Sequence, residues 1–253
     1  MLVNTAKQKL LQGKPAYGFT LHLGSPVVAE IVSRAGPDFV MIDNQHGSWG
    51  PDTTIAALIA INGSPATPMA RVARNDYTMI GRLLDEGMLG IIVPMVHTAE
   101  DAQAAAAACR FPPRGSRSWG WTRAALYGED YPDRIGDELF LAVQIESAEA
   151  VKNAEAILAT PGVDGCWGGP ADMALSMGIH PRDRFKSEQH ARNLEKVVAA
   201  CRNTGKIPGI SGTDPDDALA RTKQGFRFIT TSSDTGFLLG GIAAAWKTLR
   251  GGT

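Results

Sequence analysis

Residues 39–72 read FVMIDNQHGSWGPDTTIAALIAINGSPATPMARV. An apolar run suited to a strand (39–43) passes into a polar turn, and apolar residues then recur at helical spacing over 53–61. A second β-type run follows over 67–72, so the stretch is one βαβ unit, the building block of parallel sheets. The alternation continues on both sides. Further β-type runs lie at 16–21, 90–93, 140–146, 165–167, 207–210 and 228–231, and further helical patterns at 26–35, 77–86, 99–109 and 148–159. Eight strands with intervening helices in a chain of 253 residues predict a single (β/α)8 TIM barrel domain over 1–253. A doubly wound open sheet is the alternative, but no GxGxxG follows the first strand to support it.

Composition narrows the class. A formal net charge of -1 provides no basic field for a polyphosphate, which argues against a nucleic-acid partner. Cys109, Cys166 and Cys201 are too few and too scattered for a disulfide framework or a zinc cluster, and read as buried thiols of a reducing compartment. The first residues, MLVNTAKQKLLQGK, form neither a signal peptide nor a membrane span, so a cytoplasmic protein is expected. The one long irregular stretch, 111–137, is expected to be functional, as a lid or specificity loop.

In a barrel of this kind the chemistry gathers at the C-terminal ends of the strands. Strand two runs into Asp43 and His46, strand three ends at Arg71, and strand five at Gln144 and Glu146. Strand six leads into WGGPADM, placing Asp172 at a helix start. Glu146 and Asp172 offer hard oxygen donors suited to Mg²⁺ or Mn²⁺, with positions left for water and a chelating substrate. The plainer alternative for Asp172 is a helix cap. His46 suits acid–base work near neutral pH. Arg71 suits an oxyanion, or alternatively a salt bridge at the barrel rim. The GGPAD turn, with Gly169 and Ala171, offers backbone N–H groups to a substrate carboxylate. His22, after strand one, is a candidate for the pocket wall, whereas His97, His180 and His190 read as solvated surface residues. Lys206 is the lysine nearest a strand but precedes it, at the wrong end for a Schiff base, so covalent lysine chemistry is disfavoured.

Taken in order, IDNQHG, ARV with RLLDEG, GIIVPMV, FPPRGSRS, VQIES with AVKN, and PGVDGCWGGPADMALSMG resemble the pyruvate-dependent class II aldolases typified by 4-hydroxy-2-oxoheptanedioate aldolase and 2-dehydro-3-deoxyglucarate aldolase. The resemblance covers nearly the whole chain. It implies reversible aldol addition between pyruvate or hydroxypyruvate and an aldehyde, with a divalent metal (Mg²⁺, Mn²⁺ or Co²⁺) on Glu146 and Asp172. It further implies His46 as general base, Arg71 as enolate stabiliser, and Gln144 with the Ala171 backbone as holders of the 2-oxo acid. Asp85 matches a carboxylate that raises the basicity of the family's histidine. By the strand reading Asp85 lies near the opposite face, so it would serve a neighbouring subunit in a hexamer with shared sites. Asp43 stays as a nearby orienting carboxylate.

Departures from the family pattern bear on the acceptor. Gln45 stands where many relatives have Glu, Met173 and Ala174 replace Leu and Ser, and SWGWTRAALYGEDY (118–131) differs from the dicarboxylate-handling members. A citramalyl- or malyl-thioester lyase and a non-catalytic 2-oxo-acid binding protein are the competing readings.

Overall fold

The computed structural model describes residues 3–251. Its strands are β1 (Ala16–Leu21), β2 (Phe39–Asp43), β3 (Thr67–Arg71), β4 (Gly90–Val93), β5 (Phe140–Val143), β6 (Gly165–Cys166), β7 (Gly209–Ser211) and β8 (Phe228–Ser233). They form one parallel eight-stranded sheet in the order β6-β5-β4-β3-β2-β1-β8-β7. Isolated bridges from Gly165 to Ile207 and from Gly168 to Ile210 bring its two edges together, so the expected (β/α)8 barrel is nearly closed. The helices are α1 (Thr5–Leu11), α2 (Pro26–Arg34), α3 (Pro51–Ile61), α4 (Tyr77–Glu86), α5 (Ala99–Cys109) and α6 (Tyr131–Glu138), then α7 (Ala148–Lys152), α8 (Ala154–Leu158), α9 (Pro170–Ser176), α10 (Glu188–Thr204), α11 (Pro215–Lys223) and α12 (Asp234–Leu249).

Local chemistry sets many of these boundaries. Helix α4 starts where the Asp76 side chain accepts from Met79 N–H and stops at Gly87, whose φ of 105° a side chain would oppose. Helix α5 starts in a Thr98/Asp101 capping box. Strand β7 begins at Gly209 and not at Ile207, because Pro208 has no N–H to give the ladder. The helical run expected over 148–159 breaks at Asn153, whose amide donates to the His97 carbonyl (2.9 Å).

The barrel interior is filled by Ala16, Phe39, Met41, Met69, Ile92, Phe140, Ala142, Trp167 and Phe228, with Ala6 and Leu10 of α1 closing the bottom. Phe39 and Phe140 each stack on Phe228, with centroids 4.5 and 4.9 Å apart. Truncating one of these rings to Ala would cost about 3–5 kcal/mol. All three cysteines are free and buried, as expected, but they are not all isolated: Cys166 of β6 and Cys201 of α10 touch, Sγ to Sγ 3.5 Å.

Two expectations fail. The stretch 111–137 follows α5 and precedes β5, so it lies at the N-terminal ends of the strands and cannot be a lid over its own catalytic face. Nor is it irregular throughout, since it holds a 3-10 turn (Ala124–Tyr127) and most of α6. His190 is no surface residue: it is 2 % exposed inside α10, and its Nε2 lies 2.9 Å from the Pro170 carbonyl. Burial pushes its ring below the usual histidine value.

Candidate active site

At the C-terminal rim a chain of polar contacts crosses four strand ends. His22 Nε2, just past β1, lies 3.0 Å from Asp43 Oδ2. Asp43 ends β2 and accepts from Arg71 of β3 at both oxygens, Nε to Oδ1 at 2.9 Å and Nη2 to Oδ2 at 2.5 Å. Arg71 Nη1 reaches Gln144 Oε1 at 3.4 Å, and Gln144 Nε2 donates to Glu146 Oε2 at 2.5 Å. Every side chain from Asp43 to Glu146 in this chain is buried. The Trp167 ring, at the end of β6, lies under the Arg71 guanidinium, 5.2 Å from centroid to Cζ. Strand alternation explains the convergence: Asp43 and Arg71 continue the inward-facing series of Phe39, Met41 and Met69.

Burial works against the Asp43 charge, but hydrogen bonds from His22 and Arg71, with the guanidinium's own charge, outweigh it and hold the carboxyl well below the usual carboxylate range. Its Oδ1 also accepts the backbone N–H groups of Gln45 and His46, at 3.0 and 3.3 Å. Asp43 therefore orients the backbone of the turn that carries His46, while its ring partner is His22. The His46 ring is exposed and takes no hydrogen bond from the described residues, which leaves it available to substrate or water.

Glu146 is held on both oxygens, by Gln144 on one and by the Met95 N–H on the other (2.8 Å). Met95 presents that N–H from a left-handed conformation with φ 56°, a strained choice for a non-glycine residue. Burial pushes the Glu146 carboxyl up, the Met95 N–H pulls it down, and the charge of Asp172 pushes it up again. Asp172 is exposed in the first turn of α9, and the cap position there belongs to Gly169, so the capping alternative for Asp172 does not hold. Gly169 makes room for the arrangement, because a Cβ there would lie 2.6 Å from Glu146 Oε2. Pro170 carries no N–H, and the N–H groups of Ala171 and Asp172 have no partner among the described residues. A buried carboxylate with a second one close enough to disfavour its charge, beside free backbone donors, suits a hard divalent cation with a carboxylate ligand. Among the described residues no group of three or more His, Cys, Asp or Glu comes together as a metal cluster.

Asp85 is not brought to this rim. It ends α4 at the opposite face, ion-paired with the buried Arg117 at 2.7 Å and beside Gly120 of the 111–137 stretch. That guanidinium packs over the Phe111 and Tyr131 rings, and the exposed Trp119 stacks edge-on against Trp121 nearby. Lys206 and the buried Lys7 both bond at this bottom face, to the Val163 and Leu139 carbonyls, away from the rim.

Two rim residues escaped the sequence reading. Asp234, at the end of β8, is buried and accepts the backbone N–H groups of His22 and Leu23. The strand-end rule that found Asp43 would have found it too. Met95 carries no such signal, since its part is played by its peptide.

The HpcH/HpaI aldolase/citrate lyase family pattern matches residues 17–240. A hydroxypyruvate/pyruvate aldolase of Roseobacter denitrificans is 34% identical over 252 residues, covering 97% of this chain and 98% of that protein. A 4-hydroxy-2-oxo-heptane-1,7-dioate aldolase of Escherichia coli is 36% identical over 239 residues, covering 93% and 90%. The crystal structure of an HpcH/HpaI aldolase/citrate lyase family protein from Burkholderia cenocepacia superimposes with a TM-score of 0.92 at 34% identity, over 98% and 99% of the two chains. With the family pattern matching residues 17–240 and these relatives 34 and 36% identical over nearly the whole chain, the chain belongs to the HpcH/HpaI aldolase/citrate lyase family.

Proposed function

We propose that the protein is a divalent-metal-dependent aldolase, working as one barrel domain, that joins the enolate of pyruvate or hydroxypyruvate to an aldehyde and reverses that reaction. The observation that carries this reading is the hydrogen-bonded chain from Asp43 through Arg71 and Gln144 to Glu146, which turns a fixed guanidinium toward Gln144 and the buried Glu146 carboxylate. Relatives named as pyruvate-type aldolases over nearly the full chain support it.

Glu146 and Asp172 would hold Mg²⁺, Mn²⁺ or Co²⁺, and the bound ion acts as a Lewis acid toward the 2-oxo acid. The Ala171 and Asp172 N–H groups, beside Gly169, receive the substrate carboxylate. Gln144 fixes the Glu146 carboxylate and contacts the keto acid, and Arg71 stabilises the enolate oxygen. In the cleavage direction the exposed His46 takes the proton from the acceptor hydroxyl, directly or through water. His22 lines the pocket wall beside Asp43.

The reading includes a homo-oligomer, a hexamer with shared sites, in which Asp85 and the 111–137 stretch serve a neighbour's site. Exposed apolar side chains along α12, among them Phe237, Leu239, Ile242 and Trp246, support association. Three unpaired cysteines support a cytoplasmic setting, and no described helix is long and apolar enough to cross a membrane.

Chelator-stripped protein resupplied with Mn²⁺ should exchange deuterium into the pyruvate methyl group, as followed by NMR. The exchange should stop without metal and in Glu146→Gln. Metal binding with no exchange from pyruvate or hydroxypyruvate would overturn the aldolase reading and bring a thioester lyase or a non-catalytic binding protein forward.

A further inference from the structure

Asp43 Oδ2 is shared by two donors, Arg71 Nη2 and His22 Nε2. The imidazole is one-third exposed and stands between two buried carboxylates, with Nε2 at 3.0 Å from Asp43 and Nδ1 at 3.9 Å from Asp234 Oδ1. Its backbone is pinned as well: Asp234 accepts the His22 N–H at 2.9 and 3.0 Å and the Leu23 N–H at 3.0 Å. The charged groups facing the ring are therefore Asp43 on β2, with Arg71 of β3 behind it, and Asp234 where α12 begins. The Gln45 and His46 N–H groups hold Asp43 Oδ1, so the freedom left to the carboxylate is at Oδ2, the oxygen that carries Arg71 Nη2. A second donor on the same oxygen, from a ring whose backbone is clamped, removes that freedom.

We infer that His22 is a positioning residue for Arg71, acting through Asp43. Arg71 bonds to Asp43 by Nε and Nη2, which directs Nη1 along the rim toward Gln144. That aim is what enolate stabilisation requires, so the inference rests on the function proposed above. Because Asp43 also holds the His46 N–H, His22 steadies the histidine turn through the same carboxylate. Its contribution would then appear in the rate of enolate formation and not in metal binding.

The experiment compares wild type, His22→Leu and His22→Gln in metal-dependent deuterium exchange of pyruvate, with Mn²⁺ affinity measured in parallel. His22→Leu is expected to lower the exchange kcat by about 10- to 100-fold, the usual effect of losing a group that orients a reacting one, with KM and Mn²⁺ affinity within about threefold. Gln, whose amide can donate to Asp43 from the same reach, is expected to recover most of the loss. Should His22→Leu fail to fold, His22→Ala is the second test, where added imidazole should restore activity at a ring site open to solvent. Wild-type exchange with unchanged kcat in His22→Leu, or a loss that neither Gln nor imidazole relieves, would overturn the assignment and leave the aldolase reading intact. Absence of exchange in metal-loaded wild type would overturn both.

Discussion

Asp43 and Arg71 are register partners on the neighbouring strands β2 and β3, and they close on each other through two hydrogen bonds at the last paired position of that ladder. Both are buried, so the ion pair is a fixture of the rim and not a surface contact. The remaining guanidinium nitrogen, Nη1, is left toward Gln144, which in turn holds Glu146.

Breaking this pair should be costly. Asp43→Ala would leave Arg71 buried without its partner, an expected loss of about 3–5 kcal/mol in urea unfolding at neutral pH. The pH dependence has a definite sign. The Asp43 carboxyl is depressed in the folded state, so its stabilisation is fully present above the unfolded value of about 3.9 and is lost as pH falls toward the folded one. Wild type should therefore lose more stability than Asp43→Ala on acidification below about pH 4. Parallel acid limbs in the two proteins would contradict the depressed carboxyl.

Gly169→Ala probes the carboxylate pair without touching a ligand. The new methyl would crowd Glu146 Oε2, and the barrel core lies elsewhere. Mn²⁺ affinity by titration calorimetry should fall about 10- to 100-fold. In wild type, chelation should lower the melting temperature and Mn²⁺ should restore it, and that increment should shrink in the variant. Unchanged affinity would mean that Glu146 does not hold the ion.

His46→Ala should separate chemistry from structure. The ring is exposed and unpartnered, so stability should change by no more than about 0.5 kcal/mol. Aldol turnover should drop by about 10²- to 10⁴-fold with Mn²⁺ affinity intact. Full turnover would remove His46 from the mechanism.

The C-terminal helix predicts the assembly. Replacing Ile242 and Trp246 of α12 by Asp puts charge on its exposed apolar side. Light scattering should then report a smaller particle than wild type, and activity should fall if sites are shared. An unchanged mass would show that α12 is not part of the interface.

Most of the architecture was legible in the sequence, because a βαβ repeat writes itself as alternating periodicities that each need only local residues. Seven of the eight strand starts fall where the apolar runs begin, and only the β7 start moves, under Pro208. The strand-end rule likewise puts Asp43, Arg71, Gln144, Glu146 and Asp172 at the C-terminal rim, where the fold carries them. The 111–137 stretch was misjudged, because length and composition mark a loop as special without saying at which end of the barrel it lies.

What the sequence by itself determined was the barrel and most of the polar residues on its rim, since both follow from spacing along the chain. Only the tertiary structure decided who pairs with whom. The His22 ring and not the His46 ring took an Asp43 oxygen, Arg117 claimed Asp85, and His190 went inside. Those pairings depend on side-chain directions across strands separated by a helix and two turns, and hydrogen bonds of 3 Å reach are settled by packing geometry that no local pattern encodes.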